Sequence, residues 1–133
     1  MEYRRINWLD IEAKGNVEWL ISVSKEIQPA LKAIADRHIE DNLPVIIEGD
    51  FIHPELSAAF NNPRVKTIFI HEPSCEQILQ NYFSREGVEQ VHRADVSYAF
   101  GNWLKERCEE NNISVFESRP WDSLLERVVL SLN

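Results

Sequence analysis

Apolar positions along this chain repeat with two different periods. Over 16–41, Ile27, Leu31, Ile34 and Ala35 recur at three- and four-residue steps, and His38 and Ile39 continue the stripe. Lys25, Lys32, Asp36, Arg37 and Glu40 lie largely off it, which predicts a helix with one buried face. Pro29 falls inside this stretch; it either opens a second helix in its first turn or kinks one long helix. Asn42 is a stop signal. Residues 44–47 (Pro-Val-Ile-Ile) are short, apolar and β-branched and predict a strand buried on both faces. A short helix with Pro54 at its start is expected over 54–60, followed by an Asn61-Asn62-Pro63 turn. A second strand is predicted over 65–70. A helix over 74–84 follows, with Ser74 and Gln77 at capping-box spacing. Residues 85–92 contain Gly87 and predict a loop. Val96, Phe100, Trp103, Leu104 and Cys108 make the apolar stripe of a helix over 94–110, closed by Asn111-Asn112. A third strand is predicted over 113–116 and a last helix over 120–132, where Ser123 and Glu126 have capping-box spacing. Residues 1–15 show no clear period; Trp8 and Leu9 are candidates to pack on the domain, and Gly15 is expected to break any helix there.

Every strand-to-strand link in this order carries a helix. Neighbouring strands should therefore run parallel with right-handed crossovers, giving an α/β fold: three layers, α/β/α, around a small parallel sheet. No second domain, internal repeat or low-complexity tract interrupts 1–133, so one domain is expected.

Composition narrows the function. A length of 133 residues suits one core, and 44% hydrophobic with 27% charged residues is ordinary globular composition. The net charge of −8 opposes a broad DNA- or RNA-binding surface, which needs Lys and Arg to neutralise phosphates. It leaves room for a local basic pocket that takes one phosphorylated small molecule. No apolar run approaches the roughly 20 residues needed to span a bilayer, and the first residues lack an apolar signal core, so a cytoplasmic, membrane-free protein is expected. Cys75 and Cys108 sit in helical patterns without CxxC spacing and are expected to be reduced packing residues.

In an open parallel sheet, ligands bind beyond the carboxyl ends of the strands. Those ends carry Glu48-Gly49-Asp50, His71-Glu72 and Glu117-Ser118-Arg119, with His53 close to the first. Asp50 either takes a proton from a substrate hydroxyl or holds a hydrated magnesium ion, or is simply a polar strand exit; Glu48 has the same alternatives. Gly49 permits a tight turn or close approach of a ligand. Arg85 and Arg93 flank a loop of the sort a phosphate-transferring enzyme uses to screen charge, or else they pair with Glu86, Glu89 and Asp95. Trp121 offers a flat face for a purine or anchors the core. The spacing of His53, His71 and Glu72 matches no metal motif, and no metal ligand is assigned.

The segments Lys32-Ala-Ile-Ala-Asp-Arg-His-Ile39, Pro44-Val-Ile-Ile-Glu-Gly-Asp50 and Val65-Lys-Thr-Ile-Phe-Ile-His-Glu-Pro73 resemble, in order and spacing, the middle of P-loop small-molecule kinases. The pattern continues through Arg85, Arg93, Ser97-Tyr-Ala-Phe-Gly-Asn-Trp-Leu104 and Ser118-Arg-Pro-Trp-Asp-Ser-Leu-Leu-Glu-Arg127. It is most similar to the 2-phosphoglycerate kinase-like and the shikimate- or adenylate-kinase-like proteins, over about residues 25–132. The resemblance implies an ATP- and magnesium-using phosphotransferase. Asp50, Arg85 and Arg93 would act on the reacting groups, Glu48 and Gly49 would border the acceptor substrate, and Arg119 and Pro120 would border the adenine.

One departure is large. The four glycines, at 15, 49, 87 and 101, begin no G-x-x-x-x-G-K-S/T loop, so the amide cradle, the lysine and the magnesium-binding hydroxyl are absent together. Phosphoryl transfer by this chain alone should then be negligible. In such kinases the P-loop strand lies between the strands matching 44–47 and 65–70, so its loss implies a hole or two unpaired edges: the remaining strands close up, swap with a second copy or pair with another chain, and a homo-oligomer or a missing N-terminal segment is expected. Two other readings stay open: a non-catalytic binding or assembly module with this fold, and a metal-dependent hydrolase built on Glu48, Asp50, His53 and His71.

Overall fold

The computed structural model describes residues 13–132; Trp8 and Leu9 lie outside the described residues. Helix α1 (Ala13–Glu40) is one continuous helix. It contains both Gly15 and Pro29, so Gly15 does not break it and Pro29 does not divide it. Pro29 is solvent-facing, where its ring and missing amide disturb no packed neighbour. Asn42 ends the helix in the left-handed conformation (φ 56°), as Asn112 does after the fourth helix (φ 56°). Asn tolerates this geometry because its short polar side chain bonds locally.

Helix α2 (Pro54–Ala59) has Pro54 in its first turn and His53 as its cap. Strand β1 (Ile68–His71) leads into helix α3 (Cys75–Glu86). Ser74 caps α3 by accepting from the Gln77 amide at 3.2 Å, as the capping-box spacing predicts. Gly87 closes α3 at φ 72°, a conformation that favours glycine. Helix α4 (Val91–Glu110), strand β2 (Ser114–Glu117) and helix α5 (Trp121–Leu132) complete the order. Ser123 does not cap α5, which starts two residues earlier; its hydroxyl donates to the Pro120 carbonyl at 3.3 Å instead.

β1 and β2 pair in parallel, with Ile68 opposite Ser114 and His71 opposite Glu117. The α3–α4 hairpin forms the crossover between them. α4 is the hub: it packs on α1, on α3 and on both strands. Among the described residues, the buried core side chains Ala94, Val96, Phe100 and Cys108 belong to it, with Pro54 of α2 also buried, and Phe100 stacks on Trp103 at 5.9 Å. No helix of the described residues is long and apolar enough to cross a membrane.

The α/β expectation therefore stands in a coarser form: helices predominate, and among the described residues the sheet has two strands. The third expected strand, 44–47, does not form. Its residues follow an irregular path, and Ile46 is 94% exposed. Pro44 contributes no amide to a ladder, and β-branched residues adopt a strand only where a partner edge receives them. β1 pairs with β2 on one side only, and residues 44–47 do not join its other edge.

Candidate functional site

The parallel register brings the ends of β1 and β2 to one rim beside the start of α3. Glu72 is its centre. This carboxylate is 10% exposed and receives four hydrogen bonds: the Ser74 amide at 3.0 Å, the Ser118 hydroxyl at 2.6 Å, and Nε and Nη2 of Arg119 at 2.9 Å each. The arginine contact is bidentate, the geometry that gives such pairs their strength. Burial pushes the Glu72 carboxyl up, but the bonds from Ser118, Arg119 and Ser74, with the Arg119 charge, outweigh it and hold the group below its ordinary value. The backbone amide of Ser118 also bonds the His71 carbonyl at 2.8 Å, extending the strand pairing by one residue.

Behind Glu72, the buried ring of His71 shares a hydrogen bond of 3.0 Å with Oδ1 of Asn102 on α4. Gly101, next to Asn102, lies against the same ring; a Cβ there would sit 3.6 Å from Cδ2 of His71. Asn102 escapes the sequence reading. The one available signal is Gly101, a glycine interrupting an otherwise helical run, which marks a close approach.

A second cluster forms at the turn between α3 and α4. Arg85 and Arg93, eight residues apart, converge on Glu86: Arg85 through Nε at 3.3 Å and Nη2 at 2.9 Å, Arg93 through Nη1 at 2.9 and 3.1 Å. Both guanidinium groups lie over the Tyr82 ring, at 5.2 and 4.2 Å from its centre. Hydrogen bonds from Arg85 and Gln90 outweigh desolvation and, with the bond and charge of Arg93, draw the Glu86 carboxyl down to about 2. The Tyr82 hydroxyl meets Ser97 at 2.7 Å and pins the two helices together beneath the arginines. Of the pairing partners the sequence offers to these two arginines, both meet Glu86.

Glu48, Gly49 and Asp50 are exposed in the irregular segment between α1 and α2 and do not extend a strand. Pro120 is exposed at the start of α5, and Arg119 is committed to Glu72. The structure thus joins Arg85 with Arg93 and Arg119 with Glu72. It brings neither pair into recorded contact with Glu48, Gly49 or Asp50.

ATP and magnesium do not fit these residues as they stand. The faces that Arg119, Arg85 and Arg93 would turn to phosphate meet Glu72 and Glu86, and no glycine-rich amide cradle adjoins them. Among the described residues, no group of three His, Cys, Asp or Glu side chains is placed to hold a metal ion. Cys75 and Cys108 are free thiols; burial, with the nearby Glu109, pushes Cys108 up to about 11, where it is unreactive at neutral pH. No family model, curated protein or solved structure matches the chain.

Proposed function

We propose that this chain is the rim-and-lid portion of a kinase-like α/β domain acting on a phosphorylated small molecule or nucleotide, without catalytic activity of its own. The observation that carries this reading is the Arg85–Glu86–Arg93 cluster on Tyr82. Two guanidinium groups aimed at one carboxylate, at the tip of a helical hairpin, make an anion site that an internal anion fills. A phosphate brings more charge and more acceptor oxygens than a carboxylate and competes for both arginines. Arg93 enters that competition with Nε and Nη2 outside the Glu86 contact. A phosphate grip supplied by another polypeptide segment would complete such a domain across the open edge of β1.

Titration with pyrophosphate and with ATP, followed by calorimetry, tests this. Wild-type protein should bind weakly and hydrolyse no ATP. Glu86→Gln should bind either ligand several-fold more tightly, and Arg93→Ala on that background should abolish the gain. Equal affinity of wild type and Glu86→Gln would contradict the reading.

The second reading, an assembly module, draws on α5. Trp121, Leu125 and Val129 form an exposed apolar row at four-residue spacing, with Leu125 74% exposed. Rows of this kind pair readily across a two-fold axis. Light scattering should then report a concentration-dependent dimer that Leu125→Glu shifts to monomer; a wild-type monomer at every concentration would contradict it.

A further inference from the structure

The backbone of 44–48 is hydrogen-bonded to no described residue, while the positions on either side are committed. Leu43 donates its amide to the His38 carbonyl at 3.0 Å, and its own carbonyl meets Nδ1 of His38 at 3.2 Å. The Gly49 carbonyl accepts from the Ile52 amide at 3.4 Å. The free run is therefore centred on Ile46. That residue is also the most exposed one, at 94%, with Val45 beside it at 44%. Free amides and carbonyls next to exposed β-branched side chains make a template for strand addition.

The order of residues in the run selects the strand that fits. In an antiparallel pair, alternate positions exchange two hydrogen bonds and the positions between exchange none. A second copy laid antiparallel, with Ile46 facing Ile46 across a two-fold axis, puts Val45 opposite Ile47 and Pro44 opposite Glu48. With Ile46 at a non-hydrogen-bonded position, Val45 and Ile47 of each copy exchange bonds with Ile47 and Val45 of the other. Pro44, which has no amide, then falls where no donor is needed. The opposite phase would leave the Glu48 carbonyl facing Pro44 without a donor. The pairing also stops of itself, since Leu43 is already bonded to His38.

The charges agree with this register. The two Glu48 side chains lie at opposite ends of the pair, about 13 Å apart, beyond the range of their repulsion in physiological salt. Past each end, Asp50 of one copy runs toward Asn42 of the other. Arg64 is held there, through Nη2 to Asn42 Oδ1 at 2.7 Å and through Nη1 to the Ile39 carbonyl at 3.3 Å. Arg64 has no ion pair among the described residues, so it offers a cation to the acidic exit of the second copy.

We propose that residues 44–48 become a strand against a second copy of this chain, antiparallel and centred on Ile46. The second copy supplies the edge that 44–47 lack within one chain. The proposal is independent of the kinase-like reading and of the α5 row.

Isotope-filtered nuclear magnetic resonance on a mixture of labelled and unlabelled full chain tests it. The Ile46 α-proton of a labelled copy should contact the Ile46 α-proton of an unlabelled one, flanked by intercopy contacts between the Val45 and Ile47 amides. Val45→Pro removes an amide that the pairing needs and that no described residue uses. It should lose every intercopy contact while the pairing of Phe69 with Val115 persists. Leu125→Glu should keep the intercopy contacts. Absence of intercopy contacts from 44–48 in concentrated wild-type protein overturns the proposal. So does their survival in Val45→Pro, their loss in Leu125→Glu, or contacts from 44–48 to residues 1–12 of the same chain in their place.

Discussion

Glu72 gathers donors from three directions, so its charge matters more than its shape. Glu72→Gln keeps the side chain's outline but cannot serve the Arg119 fork and the Ser118 hydroxyl as an anion. A loss of about 1–2 kcal/mol is expected, the scale of charge-assisted hydrogen bonds in a largely buried setting. The pH dependence has a definite sign. Because folding lowers the Glu72 pKa from its ordinary 4.5, the stabilisation is complete above that value and fades as pH falls through the lower, folded one. Urea unfolding at pH 7 should therefore separate wild type from Glu72→Gln, and the two should converge on acidification. His53 acts in the same direction for a different reason. Burial, with Lys25 and Arg107 nearby, lowers its pKa from 6.5, so the fold prefers the neutral ring and loses that preference as pH falls below 6.5.

At the scale of elements, α4 decides the fold, and Gly101 is its weak residue. Glycine inside a helix costs about 0.5–1 kcal/mol relative to alanine. A Cβ at this position would meet His71 at ordinary contact distance, and the backbone there needs no left-handed conformation. Gly101→Ala should accordingly stabilise the protein by about 0.5–1 kcal/mol in urea unfolding. A loss of stability instead would mean that His71 needs the space. The helices were legible in sequence because they carry their own signals: the Val96–Phe100–Cys108 stripe, the Ser74 cap, Gly87 and the paired asparagines. The strands at 68–71 and 114–117 were legible, near the expected 65–70 and 113–116, as short apolar runs, and the structure pairs them. Residues 44–47 carry the same local signal and stay irregular, since pairing is a property of two segments and composition reports only one. The rim was half legible. Strand exits named His71, Glu72, Ser118 and Arg119, while Asn102, on the helix behind them, has no mark of its own beyond the glycine beside it.

Across the described residues, carboxylates answer arginines in three clusters: Glu72 with Arg119, Glu86 with Arg85 and Arg93, Glu55 with Arg107. A chain of net charge −8 has acid to spare for this. Apolar surface remains open at Ile46, along the outer side of β1 at Ile70, and on the α5 row. All of this depends on β1 and β2 running in the same direction, because only that delivers Glu72 and Arg119 to one rim. Cross-strand proton contacts measured by nuclear magnetic resonance on isotope-labelled protein test that pairing directly. The parallel register predicts amide-to-α-proton contacts linking the Phe69 and Ile70 region to Val115 and Phe116, with Glu72 and Arg119 side chains close together. Close α-proton pairs between the two strands, the mark of antiparallel pairing, would contradict it.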